Sequence, residues 1–233
     1  MDLPPGAEPD PTEAIGPSRF GGFRAGFVAV APLLVGVAPF GLVAGATPVA
    51  YGLGADAAVG FSVIMFAGAS QLASIEVLGA GGSVLAAVLT ACTINLRLIL
   101  YSASCSPYLR RLAPARRMVM AYLLTDEAYA LSIVRWSEQG SEAQDLPTLR
   151  GRWTFYMGAA ASMWATWQVS TLVGILVGNA LPSGVRLDVI APLVFLVLLV
   201  PTLVTRAALV AAAVGGVGAV VAASKFRAAP KGK

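Results

Sequence analysis

The sequence predicts an all-α, polytopic integral membrane protein with about seven transmembrane helices, some of them kinked or broken. Hydrophobic residues make up 57% of the 233 positions and charged residues 12%, whereas soluble domains carry about 25% charged residues. The charges avoid two long blocks, 25–104 and 153–224, and gather between them. The apolar runs in these blocks lack the period-two alternation of membrane barrels, which favours helices over strands.

This composition excludes a soluble globular enzyme, a disordered protein and a nucleic-acid-binding protein. The net charge of +4 does not indicate a nucleic-acid partner, because the basic residues lie beside apolar runs, where the positive-inside rule accounts for them. The chain has no histidine, and its two cysteines, Cys92 and Cys105, lack metal-ligand spacing. We therefore expect no metal site, no cofactor and no Ser-His-Asp triad.

Proline and charge divide the chain into three regions. Residues 1–24 are rich in proline and acidic residues, and we expect a disordered tail without the features of a signal peptide. Residues 25–224 form the predicted transmembrane transporter domain. Residues 225–233 carry only basic charges and form a short C-terminal tail.

A helix needs about 20 apolar residues to cross about 30 Å of hydrocarbon, and seven runs approach that length. They lie near 26–50, 57–79, 83–104, 117–136, 153–179, 189–205 and 207–224. The first run contains Pro32, Pro39 and Pro48, so we expect it to be kinked or broken.

Two GxxxG pairs occur within these runs, Gly41 with Gly45 and Gly174 with Gly178. Small residues at this spacing let helix backbones approach closely. The pairs therefore predict close helix contacts, either inside the subunit or between subunits.

The loop near 105–116 and the C-terminal tail are rich in basic residues, which predicts that both are cytoplasmic. Three predicted spans then separate the N-terminal tail from this loop and place the tail outside. If the segment 57–79 enters and leaves the membrane on one side, the tail lies in the cytoplasm instead. The sequence leaves both arrangements open.

Charged side chains at membrane depth cost about 2.5–3.5 kcal/mol each on insertion scales and persist when they are paired or face a polar cavity. Arg97 lies within the third predicted span, and Asp126 and Glu127 lie near the middle of the fourth. We expect Arg97 to pair with Asp126 or Glu127 across helices. Such a pair either locks the helix bundle or takes part in transport of an amino-acid zwitterion or a proton.

Short motifs follow one another in order between residues 39 and 127. They are Pro39-Phe40-Gly41, Ala67-Gly68-Ala69-Ser70-Gln71, Asn95-Leu96-Arg97, Leu100-Tyr101-Ser102 and Thr125-Asp126-Glu127. With these motifs the chain resembles the AzlC family of branched-chain amino-acid exporters over roughly residues 20–215. The resemblance implies the large subunit of a gradient-driven, two-component permease, a multi-pass protein of the inner or plasma membrane of a prokaryote. It also implies efflux of leucine, isoleucine, valine and often methionine, with a small hydrophobic AzlD-like membrane subunit as partner.

The predicted transport pathway combines polar and aromatic residues of these motifs: Ser70, Gln71, Asn95, Arg97, Tyr101, Asp126, Glu127, Phe40 and Phe66. Ser70 and Gln71 are expected to meet the charged backbone groups of the substrate. Asp126 or Glu127 is expected to carry a coupling proton or to pair with Arg97. Phe40, Phe66 and Leu72 are expected to form an apolar pocket of leucine size.

We expect no enzymatic activity, but two other functions stay open. One is a membrane scaffold or assembly subunit without transport of its own, and the other is an intramembrane enzyme that uses the carboxylates. The resemblance also implies a further apolar segment after the span that ends near Ser224, where this chain becomes basic.

Overall fold

The computed structural model describes residues 22–180 together with residues 210, 213–218 and 220. The chain divides into two units, Met1–Val185 and Arg186–Lys233. In the second unit the described residues are helical and exposed. The predicted N-terminal tail, the basic C-terminal tail and most of the predicted spans near 189–205 and 207–224 lie outside the described residues.

The first unit is helical from residue 22 to residue 180, without a strand in that range. Its helices are α1 (Phe23–Ala50), α2 (Ala55–Gly60), α3 (Gly68–Gly79), α4 (Val84–Cys105), α5 (Pro114–Tyr122), α6 (Asp126–Gln139) and α7 (Leu146–Ala180). A π-helical segment, Phe61–Met65, extends α2, and a 3₁₀ turn, Ser106–Leu109, extends α4. The all-α prediction is thereby confirmed for this part of the chain.

Three helical segments are long and apolar enough to cross a membrane: Phe23–Ala50, Val84–Leu109 and Leu146–Ala180. They correspond to the predicted spans near 26–50, 83–104 and 153–179. The first span was predicted to be kinked or broken; the helix α1 continues through Pro32, Pro39 and Pro48, so it is not broken. Membrane helices tolerate internal prolines where neighbouring groups satisfy the freed backbone carbonyls.

The helices α1 and α7 pack in parallel with their backbones in contact. Gly26 of α1 lies against the backbone of Phe155, and Gly45 lies against the backbone of Thr171 further along α7. From the other side, Gly174 of α7 lies against the backbone of Leu42. The two predicted GxxxG pairs therefore face each other within one subunit, and a Cβ atom at these positions would overlap the opposing backbone.

The predicted second span, 57–79, consists of two short helical pieces instead of one crossing helix. The chain breaks at Phe66, whose φ of 40° lies in the left-handed region, and at Ala67, which is extended with φ −143° and ψ 89°. The end of α3 returns to the end of α1, because Gly79 packs directly on the ring of Tyr51. The segment α2–α3 is thus re-entrant: it enters and leaves at the same end of the helix bundle.

The predicted fourth span, 117–136, is also re-entrant, from the opposite end of the bundle. It breaks between α5 and α6 at Leu123–Thr125. The end of α6 returns to the end of α4, where the buried Arg152 donates to the carbonyl oxygens of Tyr108 (2.7 Å) and Gly140 (2.7 Å). The residues described thus contain three candidate spans where five were predicted.

The two re-entrant pairs give the first unit an inverted internal repeat. The helix α1 is followed by α2–α3, and α4, which runs the opposite way, is followed by α5–α6. Gly22, just before α1, lies beside Thr154 near the start of α7, at the end where α4 finishes. Of the two arrangements that the sequence left open, the structure has the re-entrant one, with the start of α1 and the 105–116 loop at the same end.

We expect Gly45→Ala to destabilise the protein by about 1–3 kcal/mol, because the added methyl group must push α1 away from α7. Gly60→Ala is the matched control, since a Cβ atom there meets no atom within 4 Å and alanine favours a helix. Thermal unfolding in detergent measures both. Equal unfolding midpoints for the two variants would contradict the proposed role of the glycine contact.

Candidate functional site

The break at Phe66–Ala67 places the N-terminus of α3 in the interior of the bundle. No side chain caps this end, because the residue at the cap position is Ala67. The first N–H groups of a helix have no acceptor within the helix and form its positive end. Ser70 does not satisfy them, since its buried hydroxyl donates to the carbonyl oxygen of Ala67 at 2.9 Å. The arrangement favours an anionic group at this helix end.

Gln71 follows in the first turn of α3 and is fully buried. Both polar atoms of its side-chain amide lack a hydrogen-bond partner among the described residues. Gly68, three residues earlier on the same helix face, packs against the rings of Phe40 and Trp167. A buried amide without partners costs free energy, and each such group in a native structure needs an explanation.

Four aromatic rings surround the tip of the α2–α3 pair. The ring centroids of Phe40 and Trp167 are 5.7 Å apart, those of Phe66 and Trp167 are 6.5 Å apart, and those of Phe66 and Tyr122 are 6.4 Å apart. The indole N–H of Trp167 is buried and has no partner among the described residues. The structure therefore brings the predicted Phe40 and Phe66 together beside Ser70 and Gln71, and adds Trp167 and Tyr122.

The two re-entrant pairs meet tip to tip against the middle of α7. The hydroxyl of Tyr122, at the end of α5, donates to the carbonyl oxygen of Val63 at 2.6 Å and accepts from the indole N–H of Trp164 at 3.1 Å. Ser62 donates to Oε1 of Gln168 at 2.9 Å, and Nε2 of Gln168 donates back to the carbonyl oxygen of Ser62 at 3.1 Å. These bonds hold both breaks at one level of the bundle.

The second part of the site is an ion pair between α4 and α6. Arg97 Nη1 lies 3.0 Å from Asp126 Oδ2, with 38% and 40% of the two side chains exposed. The hydroxyl of Tyr101 donates to Asp126 Oδ1 at 2.8 Å. The ring of Tyr101 stacks on Tyr129 with 4.3 Å between centroids. The predicted pairing of Arg97 with a carboxylate is confirmed, Asp126 is the partner, and both of its oxygens are engaged.

The sequence predicted Asp126 near the middle of a continuous span, and this prediction was wrong. Asp126 is the first residue of α6, and the side chain of Thr125 accepts a hydrogen bond from the N–H of Ala128 at 3.2 Å as the helix cap. A carboxylate in the first turn is favoured by the helix dipole. Threonine before two acidic residues is itself a helix-start signal. It was overlooked because apolar residues on both sides suggested one continuous span.

The remaining predicted residues lie near these two groups without closing them into one network. Glu127 is half-buried in the first turn of α6, and the ion pair of Arg97 goes to Asp126. Asn95 is half-buried on α4, and its side-chain oxygen has no partner among the described residues. The site thus has an α3 part with unsatisfied polar groups and an α4–α6 part in which Asp126 is fully bonded.

Sequence reasoning missed Arg152, which has 1% of its surface exposed. Its guanidinium also donates from Nε to Oε1 of Gln139 at 3.0 Å and lies over the ring of Tyr108. Arg150, two residues earlier, is an exposed arginine, so the sequence gives no sign that Arg152 is buried. The contacts show a clamp that ties the start of α7 to the ends of α4 and α6.

Comparison with known proteins finds relatives that are named membrane proteins. Residues 32–181 match the family model described as AzlC protein. An Escherichia coli protein named inner membrane protein YgaZ is 29% identical over 161 residues, which are 66% of this chain and 60% of the relative. An Archaeoglobus fulgidus protein named uncharacterized membrane protein is 32% identical over 207 residues, 86% of this chain and 84% of the relative. No solved structure matches the chain significantly.

Gln71→Met should leave the unfolding free energy unchanged or raise it by up to about 1–3 kcal/mol, because methionine has a similar shape and removes an unsatisfied amide. Ser62→Ala is the contrasting control, since it removes the hydroxyl that bonds Oε1 of Gln168 and the hydroxyl of Thr171, and should destabilise. Thermal unfolding in detergent compares them. A loss of stability in Gln71→Met as large as that in Ser62→Ala would show that Gln71 has an internal partner.

Arg97→Asp and Asp126→Arg should each lower the yield of folded membrane protein, because each leaves an unpaired charge between α4 and α6. The double swap should recover most of the yield, with a coupling of about 0.5–3 kcal/mol. Arg97→Asp combined with Glu127→Arg is the control and should not recover it. Quantified membrane insertion and size-exclusion profiles measure the effect. Recovery with the control pair as well would refute a specific bond to Asp126.

Proposed function

The chain belongs to the AzlC family, and we propose that it is the large subunit of a secondary transporter that exports branched-chain amino acids. The observation that carries this proposal is the uncapped N-terminus of α3, with the buried, unpaired Gln71 beside it and aromatic rings around it. Secondary transporters bind substrate at such broken helices, where inverted repeats meet near the membrane midplane.

In this proposal the substrate carboxylate binds the free N–H groups at the start of α3. Gln71 offers an amide oxygen to the substrate ammonium and an amide N–H to the carboxylate, which satisfies both of its unpaired atoms. The aliphatic side chain lies among Phe40, Phe66 and Trp167, whose rings touch one another. Leucine, isoleucine, valine and methionine share the two features that this site recognises, a zwitterionic backbone and an apolar side chain.

The coupling group in this proposal is Asp126. The chain has no histidine, so in this proposal the proton is carried by a carboxylate. Protonation of Asp126 removes the charge that holds Arg97 and frees α6 from α4. The tip of the α5–α6 pair touches the tip of the α2–α3 pair, because the hydroxyl of Tyr122 bonds the carbonyl oxygen of Val63. In this proposal the contact links the carboxylate to the substrate site.

The basic loop supports a cytoplasmic position for the start of α1. Arg110, Arg111, Arg116 and Arg117 follow α4, and the positive-inside rule places them in the cytoplasm. The start of α1 lies at the same end, so we propose a cytoplasmic N-terminus, with the protein as a multi-pass component of the inner or plasma membrane.

A small hydrophobic AzlD-like subunit remains the proposed partner. The helix α4 offers exposed apolar side chains such as Leu96, Ile99 and Leu100, and these contact either lipid or a second membrane protein. Seven transmembrane helices stay a prediction, since two of the seven segments lie largely outside the described residues.

We expect faster efflux of leucine, isoleucine, valine and methionine from dipeptide-loaded cells that express this chain together with its small neighbouring subunit. Cells with this chain alone, with the small subunit alone and with neither are the comparisons. Asp126→Asn should abolish the efflux per amount of folded protein in the membrane, because the coupling carboxylate is lost while the amide oxygen can still accept a hydrogen bond from Arg97.

Glu138→Gln is the matched control for that variant, because it removes an exposed carboxylate at the far end of the same helix. Transport that persists in Asp126→Asn would rule out the coupling role. Unchanged amino-acid levels in every arm, with both proteins present in the membrane, would instead favour a scaffold subunit.

A further inference from the structure

A cavity of about 390 Å³ lies between the end of α4 and the helix α5. One helix stripe supplies Cys105 and Leu109, the facing stripe supplies Arg117, Ala121 and Leu124, and Tyr156 of α7 lies between them. The cavity is open on one side, and its lining is mostly apolar apart from Ser102, Ser106 and Arg117. Such a lining suits an apolar occupant.

The mouth of this cavity is positively charged. Arg117 lines the cavity and is exposed. Residues 106–122 contain four arginines and no acidic residue. Two of the four are engaged elsewhere, because Arg110 bonds Glu142 at 3.5 Å and Arg116 lies over the ring of Trp153 at 5.8 Å. Arg117 has no carboxylate partner within the part of the chain that the structure describes.

We expect the cavity to lie at the level of the lipid headgroups. It adjoins the end of α4, a helix long enough to cross the membrane. Met118, next to Arg117, has 73% of its surface exposed, so an apolar side chain and a cation point outward side by side from α5. Helices with this mixture lie at the boundary between headgroups and acyl chains.

We propose that this cavity binds an anionic phospholipid, with an acyl chain between α4 and α5 and the phosphate on Arg117. The apolar lining and the guanidinium of Arg117, which has no carboxylate partner among the described residues, match the two parts of such a lipid. A zwitterionic lipid fits less well, because its choline or ethanolamine group brings a second cation to an already basic rim. This site is separate from the α3 tip and does not depend on the transported substrate.

The test is native mass spectrometry of the purified full chain, titrated with phosphatidylglycerol or phosphatidylcholine of identical acyl chains. Phosphatidylglycerol should be retained preferentially. Arg117→Gln should weaken its binding about fivefold, the effect of one basic residue near a membrane surface. Arg150→Gln is the matched control: it removes an exposed arginine near the start of α7, outside the cavity, and should leave binding unchanged.

A second variant tests the acyl-chain part of the site. Ala121→Phe fills the cavity from α5 and should weaken phosphatidylglycerol binding while Arg117 is retained. Glycerol phosphate, which carries the headgroup without acyl chains, should not displace the bound lipid. Equal retention of the two lipids would overturn the proposal. That result is expected if a helix of a partner protein occupies the cavity. Equal losses in Arg117→Gln and Arg150→Gln would overturn it as well, because they would indicate unspecific surface attraction.

Discussion

The close contact between α1 and α7 is the constraint on which the rest of the first unit depends. Glycines on both helices let the backbones touch, and the same stretch of α7 carries the groups that hold the re-entrant tips. Gly45 packs against the backbone of Thr171, and the hydroxyl of Thr171 lies 3.1 Å from the hydroxyl of Ser62. Trp167, one turn earlier, packs on Phe40 of α1 and Phe66 of the tip. Separating the two helices would therefore move the wall against which the site is built.

The breaks in the two re-entrant pairs serve different ends. At Phe66 the backbone adopts a left-handed conformation that a bulky residue rarely takes, and the result is an uncapped helix end inside the bundle. At Thr125 the helix end is capped by its own threonine and begins with carboxylates. One end is thus left positive and unsatisfied, whereas the other is neutralised. The two halves of the inverted repeat therefore differ in charge at their breaks, which is the difference that the proposed substrate and coupling roles rest on.

Composition and periodicity predicted the helical class and the three long spans, because those depend on apolar length alone. Pairing of Arg97 with a carboxylate was predictable because an isolated charge at membrane depth is costly. A re-entrant path for the segment 57–79 was one of two arrangements that the sequence left open, since α2 with its π-helical extension and α3 together have the length and hydropathy of one span. The re-entrant path of 117–136 was not predicted. Two features of the structure distinguish the re-entrant α2–α3 pair from one crossing helix: the backbone turn at Phe66 and the return of Gly79 to Tyr51. Trp167 and Tyr122 were not predicted as site residues, because aromatic residues in apolar runs are ordinary core residues.

Under the proposed function, the unequal bonding of the two parts gives them different roles in transport. Gln71 and the indole of Trp167 are buried without partners, so a ligand that bonds them recovers free energy that the empty site lacks. Asp126 already has a guanidinium and a phenol on its two oxygens, so an arriving ligand or proton must displace an existing bond. In the proposed transporter, the α3 tip therefore gains hydrogen bonds when substrate binds, whereas the Asp126 network loses bonds when it changes. The proposal thus links a site that gains bonds to an ion pair that breaks only when its charge is removed, which would tie substrate movement to protonation.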